Sequence, residues 1–223
     1  MTDYDVFNGD ADGICALVQL RHAEPRNAQL ITGVKRDISL LKQVDAQDGD
    51  RVTVLDISMD KNRDDLQRIL TAGAEVFYVD HHFAGTVPPS AMLKSLINEA
   101  PDVCTSLLIN HYLRGAYTAW AIVGTFGDNL NKSAAGLAKN LDISPEQLTL
   151  LENLGVYINY NGYGADLNEL HFHPAELYKL VSAYSNPLDF ISAGRETFEQ
   201  LETGYHQDLT AAQSTQALQA NDA

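Results

Sequence analysis

RVTVLDISMDKNRDDLQRILTAGAEVFYVD, residues 51–80, decides the fold. RVTVLDIS (51–58) is rich in β-branched residues and follows the turn signal QDGD (47–50), so it reads as a strand. DKNRDDLQRILTAG (60–73) spaces its apolar residues as an amphipathic helix does and closes on Gly73, a helix-stop signal. AEVFYVD (74–80) returns to strand character. A strand, a helix and a second strand in so short a stretch predict a parallel pair joined by a helical crossover.

The same rhythm extends upstream. YDVFN (4–8) and AQLITGV (28–34) read as strands, GICALVQLRHA (13–23) as a helix through Ile14, Leu17 and Val18, and DISLLKQV (37–44) as a short helix. The fold class is therefore α/β, a parallel sheet with helices on both faces. Downstream the pattern turns helical: DVCTSLLINHYL (102–113), TAWAIVGTF (118–126), and SPEQLTLLENLGVYIN (144–159) with Ser144 as cap and Pro145 behind it. NYNGYGAD (159–166) reads as a loop; HPAELYKLVSAY (173–184) and NPLDFISAGRETFEQLETGYHQDL (186–209) read as two more helices. This divides the chain into an α/β region at 1–142, a helical extension at 143–206 and a polar tail at 207–223.

Composition narrows the function. With 223 residues, 45% hydrophobic and 20% charged, the chain can bury a full core. Two cysteines, Cys15 and Cys104, are too few for a disulfide framework or a four-cysteine zinc site, and both fall among apolar helical residues that predict a core role. The opening MTDYDVFNGDADG has no basic-then-apolar leader, and the apolar run around AYTAWAIVGTF falls short of the ~20 residues of a membrane span, so a cytoplasmic protein is expected. The net charge is −15; residues 146–223 hold eleven acids against Lys179 and Arg195. No basic stripe marks a groove for a long nucleic acid, while small phosphorylated ligands stay open.

The acids are placed, not scattered. Asp10 and Asp12 in NGDADG follow the first strand, Asp56 ends VLD, Asp80, His81 and His82 end YVDHH, and Asp128 follows the apolar helix in IVGTFGD. In a parallel sheet the carboxyl ends of the strands share one edge, where ligands bind. Taken singly, a DxDG is commonly a turn, a strand-end Asp a helix cap, and paired histidines ordinary surface residues. Together they form a set whose mutual repulsion calls for divalent cations, with ligands suited to manganese, cobalt, iron or magnesium. Two such ions about 3.5–4 Å apart activate water for in-line attack at phosphorus. Gly13 allows the turn to come close and opens a helix whose amino end favours an anion. Lys35 and Arg36 meet phosphate or form a solvated pair; His171 and His173 read as structural, and Trp120 as core.

NGDADG (8–13), VLD (54–56), VDHH (79–82) and IVGTFGD (122–128), with APDVCTSLL (100–108) between, resemble the ordered motifs of the DHH phosphoesterase superfamily. That family includes RecJ-type exonucleases, nanoRNases, cyclic-dinucleotide phosphodiesterases, exopolyphosphatases and manganese pyrophosphatases. The resemblance covers roughly residues 4–130 and implies two Mn2+ ions, with Mg2+ or Co2+ as substitutes. It implies that Asp10 and Asp56 hold one ion and that Asp12, Asp56, His81 and Asp128 hold the other. Asp80 would orient a ligating imidazole and His82 would face the phosphate; His82 and Asp80 are thus the catalytic candidates. Two departures stand out: Val6 occupies a position where many members carry His, and nothing after residue 164 resembles the family's glycine-rich GGGH-like substrate domain. The expected activity is hydrolysis of phosphodiesters or phosphomonoesters in short oligonucleotides or phosphorylated nucleotides. Long nucleic acid and membrane are not expected partners, and a homodimer is left open. The alternatives are a pyrophosphatase or exopolyphosphatase, and a degenerate nucleotide-binding regulator.

Overall fold

The computed structural model describes residues 1–221. Five strands, β1 (Asp3–Phe7), β2 (Gln29–Ile31), β3 (Arg51–Leu55), β4 (Glu75–Asp80) and β5 (Leu93–Ile97), form one sheet in the order β2-β1-β3-β4-β5, parallel at every pairing. Helices α1 (Ala11–Ala23) and α2 (Arg63–Thr71) make two of the crossovers. The remaining helices are α3 (Thr105–Tyr112), α4 (Thr118–Gly127), α5 (Asn131–Ala138), α6 (Pro145–Asn161), α7 (Pro174–Val181), α8 (Pro187–Ala193) and α9 (Arg195–Asn221).

Strand alternation sorts the core into two layers, because successive side chains point to opposite faces. Phe7, Leu55 and Val79 face a large cluster with Ile14, Leu17, Trp120, Ile122, Leu154 and Phe190 of the helices. Tyr4, Val6, Val52, Val54, Val76 and Tyr78 face the other way, onto Leu41, Leu66 and Ile69. Helices thus cover both faces, as the rhythm of residues 4–80 predicts. A buried ion pair sits inside: Asp5 on β1 receives Nε of Arg21 at 2.8 Å, and Arg21 also reaches Thr53 Oγ1 at 2.8 Å. Removing either partner would strand a buried charge, which costs about 3–5 kcal/mol.

α4 is buried from Trp120 to Gly127 and packs against α1, α3, α5 and α6. The α4–α6 crossing is close enough that a Cβ on Gly127 would collide with Ala11 and with the Gly155 carbonyl. Trp120 has no exposed surface and donates Nε1–H to the Tyr184 carbonyl at 3.0 Å, the core role expected of it. Cys15 and Cys104 are buried thiols.

Several elements differ from the sequence reading. DISLLKQV keeps only one 3-10 turn, Leu40–Gln43. The sequence pattern does not announce β5 or α5: β5 is an edge strand whose central Lys94 and Ser95 are exposed, and α5 is built largely from small residues. The long helix after residue 186 breaks at Gly194 into α8 and α9. The stretch 207–221 of the expected tail continues α9, and residues 222–223 lie outside those described. No helix among the described residues is long and apolar enough to cross a membrane.

Candidate metal centre

The centre forms where β1, β3 and β4 end. Asp10 follows β1 and caps α1, accepting from the Gly13 N–H at 3.1 Å. α1 begins two residues earlier than the sequence suggests, so Asp12 stands in its first turn rather than in a loop. Asp56 follows β3 with a φ of 59°. Asp tolerates this left-handed region better than most residues, yet the conformation costs about 1–2 kcal/mol, a kind of strain that concentrates at functional sites. Asp80 is the last residue of β4 and is wholly buried. Asp128 caps the carboxyl end of α4, where the helix dipole disfavours a carboxylate and favours a cation.

These segments meet around His81. Its Nε2 lies 3.3 Å from Asp56 Oδ1, 3.8 Å from Asp12 Oδ2 and 3.8 Å from Asp128 Oδ2. Asp12, His81 and Asp128 can converge on one ion, as can Asp56, His81 and His82. Carboxylate oxygens with an imidazole nitrogen form a donor set suited to manganese and its neighbours, and the residues present fit such an ion. Burial, and then the charges of Asp12, Asp10, Asp80 and Asp128, push Asp56 well above the usual carboxylate range. Asp128 is pushed up to about 6 by burial and Asp12, with His81 and Lys35 pulling the other way. Carboxylates that resist ionising when alone are the ones a cation stabilises most.

Each expected site residue has its own surroundings. Asp12 accepts the backbone N–H groups of Thr105 and Ser106, both at 2.7 Å, and so caps α3 from across the molecule. Cys104, at the cap position of α3 itself, supplies no side-chain bond. Asp56 accepts from Thr105 Oγ1 at 3.2 Å. Asp80 pairs through Oδ1 with His82 Nδ1 at 2.7 Å, not with His81; its Oδ2 is buried with no hydrogen-bond partner among the described residues. The hydrogen bond that His82 donates to Asp80 is the main cause of a raised His82 pKa; burial opposes it, and the charges of Asp80, Asp12 and Asp128 assist. Asp80 therefore contacts the imidazole expected to face phosphate, one that also belongs to a candidate ligand set. Asp10 lines the same cleft and its charge reaches Asp56, but its Oδ2 pairs with Lys35 Nζ at 2.7 Å.

A cleft of about 350 Å³ opens over the centre, lined by Asn8, Asp10, Lys35, Asp56, His81, His82, Phe83 and Asp128 among others. Phe83 is 66% exposed on its wall, and Ile38, also on the wall, is 42% exposed. Val6 does not reach the cleft. It is fully buried between Ile31 and Val54 in the second core layer, so it packs as a core residue.

The sequence reading misses Thr105 and Ser106, because a cap supplied from 93 residues away leaves no local signal. It treats Lys35 and Arg36 alike, whereas Lys35 enters the cleft and Arg36 is exposed outside it. His173 caps α7, accepting from the Ala175 N–H, and His171 lies 3.2 Å from Asp208, the structural roles expected of them.

No family model and no curated protein matches the chain in sequence. Its fold, however, is one already seen in a metal-bound nuclease. The crystal structure of exonuclease RecJ bound to manganese superposes with a TM-score of 0.61 at 18% identity, over 98% of this chain and 65% of that one. RecJ from Thermus thermophilus in complex with Mn2+ aligns at a TM-score of 0.42 and 19% identity, over 82% of this chain and 36% of that one. The chain thus spans less than two thirds of the length of either, and the likeness at these identities is one of fold.

Proposed function

We propose that the chain is a metal-dependent phosphoesterase of the DHH superfamily that acts on short nucleotides. One observation carries this reading: Asp12, Asp56 and Asp128, from three separate segments, surround His81 Nε2 at 3.3–3.8 Å on the floor of an open cleft. A helix-capping role explains Asp12 alone. It does not explain why a strained Asp56 and a carboxylate at the wrong end of α4 converge on the same imidazole.

Manganese held by these four residues would supply Lewis acidity and a nucleophilic water at neutral pH. The protein's own groups do the rest. His82, kept protonated more readily by Asp80, donates from its exposed edge to a phosphoryl oxygen and stabilises the charge that builds there. Lys35 offers a second cation in the lining of the same cleft. Phe83 offers a flat apolar face beside the histidines for a nucleobase to stack on, a contact that tolerates any base. A pyrophosphatase would need neither Phe83 nor Ile38 on its walls.

The test is manganese-dependent release of p-nitrophenol from a thymidine phosphodiester, followed by Asp56→Asn. Asn adopts the left-handed conformation as readily as Asp and removes a carboxylate that resists ionising, so the metal-free variant should melt no lower than the wild type and lose about a thousandfold or more in rate. Folded, manganese-binding wild type that hydrolyses neither this ester nor a dinucleotide would favour a regulator; phosphate released from pyrophosphate alone would favour a pyrophosphatase.

A further inference from the structure

The arrangement implied by the family resemblance places Asp10 and Asp56 around one ion and the remaining ligands around another. The geometry fits only half of it. Among the described residues two sets can converge on a cation, Asp12, His81 and Asp128 or Asp56, His81 and His82; the two share the one imidazole of His81, and Asp10 is in neither. Both of its oxygens are engaged, Oδ1 by the Gly13 N–H at 3.1 Å and Oδ2 by Lys35 Nζ at 2.7 Å.

Lys35 is built into that position. Its ammonium also donates to Asn159 Oδ1 at 2.9 Å and lies 5.5 Å from the centroid of the Tyr163 ring. Its backbone is pinned on both sides, the N–H to the Gly162 carbonyl at 2.8 Å and the carbonyl by Asn8 Nδ2 at 3.3 Å. A surface lysine free to swing away has none of these. Asn159, Gly162 and Tyr163 come from the end of α6 and the loop after it, so a second part of the chain is committed to holding one ammonium beside Asp10.

We infer that this centre takes one divalent cation, and that the Lys35 ammonium occupies the place beside Asp10 where a two-ion centre would hold the other. The inference rests on the phosphoesterase reading and refines it. A dication bound to Asp10 would sit within a few ångströms of a fixed positive charge and would have to displace three partners at once. Lysine supplies charge and three donors but no Lewis acidity, because an ammonium has no vacant position for water. An ion held near His81 would therefore have to supply the nucleophilic water, and Lys35 is left to neutralise a phosphoryl oxygen. An ammonium is also indifferent to chelators, so its positive charge survives metal removal.

The test counts ions. Manganese is titrated into the full chain, and free Mn2+ is read from its electron paramagnetic resonance signal, with calorimetry in parallel. One equivalent per chain is expected for the wild type and for Lys35→Arg, which keeps the charge. A second equivalent should appear at millimolar manganese in Lys35→Gln, which keeps hydrogen-bonding capacity without the charge. Two equivalents in the wild type would overturn the inference and leave the phosphoesterase reading standing. A single equivalent in folded Lys35→Gln would overturn the claim that Lys35 holds a cation position. No bound manganese in any variant would overturn both readings.

Discussion

Stability without metal should fall as pH rises, and manganese should remove the slope. The folded protein raises Asp128 from 3.8 to about 6, so it binds that proton more tightly than the unfolded chain does. A carboxyl of this kind destabilises the fold once it ionises. The penalty is absent below about pH 4, grows through the window between 3.8 and about 6, and is complete above it. Asp56, raised by burial and its acidic neighbours, acts in the same direction. His82 does too: a histidine with a raised pKa contributes stability at low pH that is lost as pH climbs through its folded value. The upper half of the Asp128 window is worth about 1.4 kcal/mol. Partial solvent exposure discounts that to about 1 kcal/mol, and the other two groups add to it. At about 2–4 °C per kcal/mol for a chain this long, the chelated protein should melt about 3–6 °C lower near pH 7.5 than near pH 5. The assay is differential scanning fluorimetry or calorimetry in EDTA and in excess manganese, with Asp128→Asn alongside. Net charge of −15 gives a background slope of its own, so the variant decides: it should flatten part of the curve. A slope unchanged in Asp128→Asn, or a manganese-induced rise in melting temperature as large at pH 5 as at 7.5, would refute the electrostatic account.

Three further outcomes follow from the same geometry. Asp12→Ala removes the cap on α3 and leaves the N–H groups of Thr105 and Ser106 bare in a buried site, so it should cost about 2–4 kcal/mol by urea denaturation even without metal; a purely ligating Asp12 would cost nothing there. Val6→His buries an imidazole between Ile31 and Val54, so it should lower stability by about 2 kcal/mol or more and add no manganese affinity; tighter binding in a titration would contradict the core assignment. Labelled strands of two, five and thirty residues, compared on a gel at fixed salt, should be cleaved in falling order of rate, because residues 146–223 set eleven acids against two bases; equal rates would mean a binding groove in a region of repulsive charge.

What the sequence shows plainly is whatever depends on local pattern. β1, β3 and β4 alternate cleanly, and each runs into or ends on an acid, so pattern alone places Asp10, Asp56 and Asp80 at one edge. The capping box of Ser144 with Gln147 is equally legible, since its two partners sit three residues apart. Contacts between distant segments are not legible. That Asp80 chooses His82 over its neighbour depends on how the chain turns after β4. That Lys35 turns inward and Arg36 outward depends on Asn159, 124 residues away. Val6 shows the converse: motif spacing alone assigns it to the site, although strand alternation already turns its side chain away from Phe7 and into the other layer.

The helical half of the chain is tied into the centre at two levels. Gly127 and Gly155 let α4 and α6 touch backbone to backbone, and Asp128 follows directly from that contact, so the depth of α6 fixes where the last carboxylate stands. Seven residues beyond Gly155, the Gly162 carbonyl holds the backbone of Lys35, and Asn159 between them holds its ammonium. One helix thus helps to position both the negative Asp128 and the positive Lys35. The division near residue 142 marks a change of secondary-structure pattern, while the packing that builds the site runs straight across it: Leu154 and Ile158 of α6 share one core with Phe7 and Leu55 of the sheet.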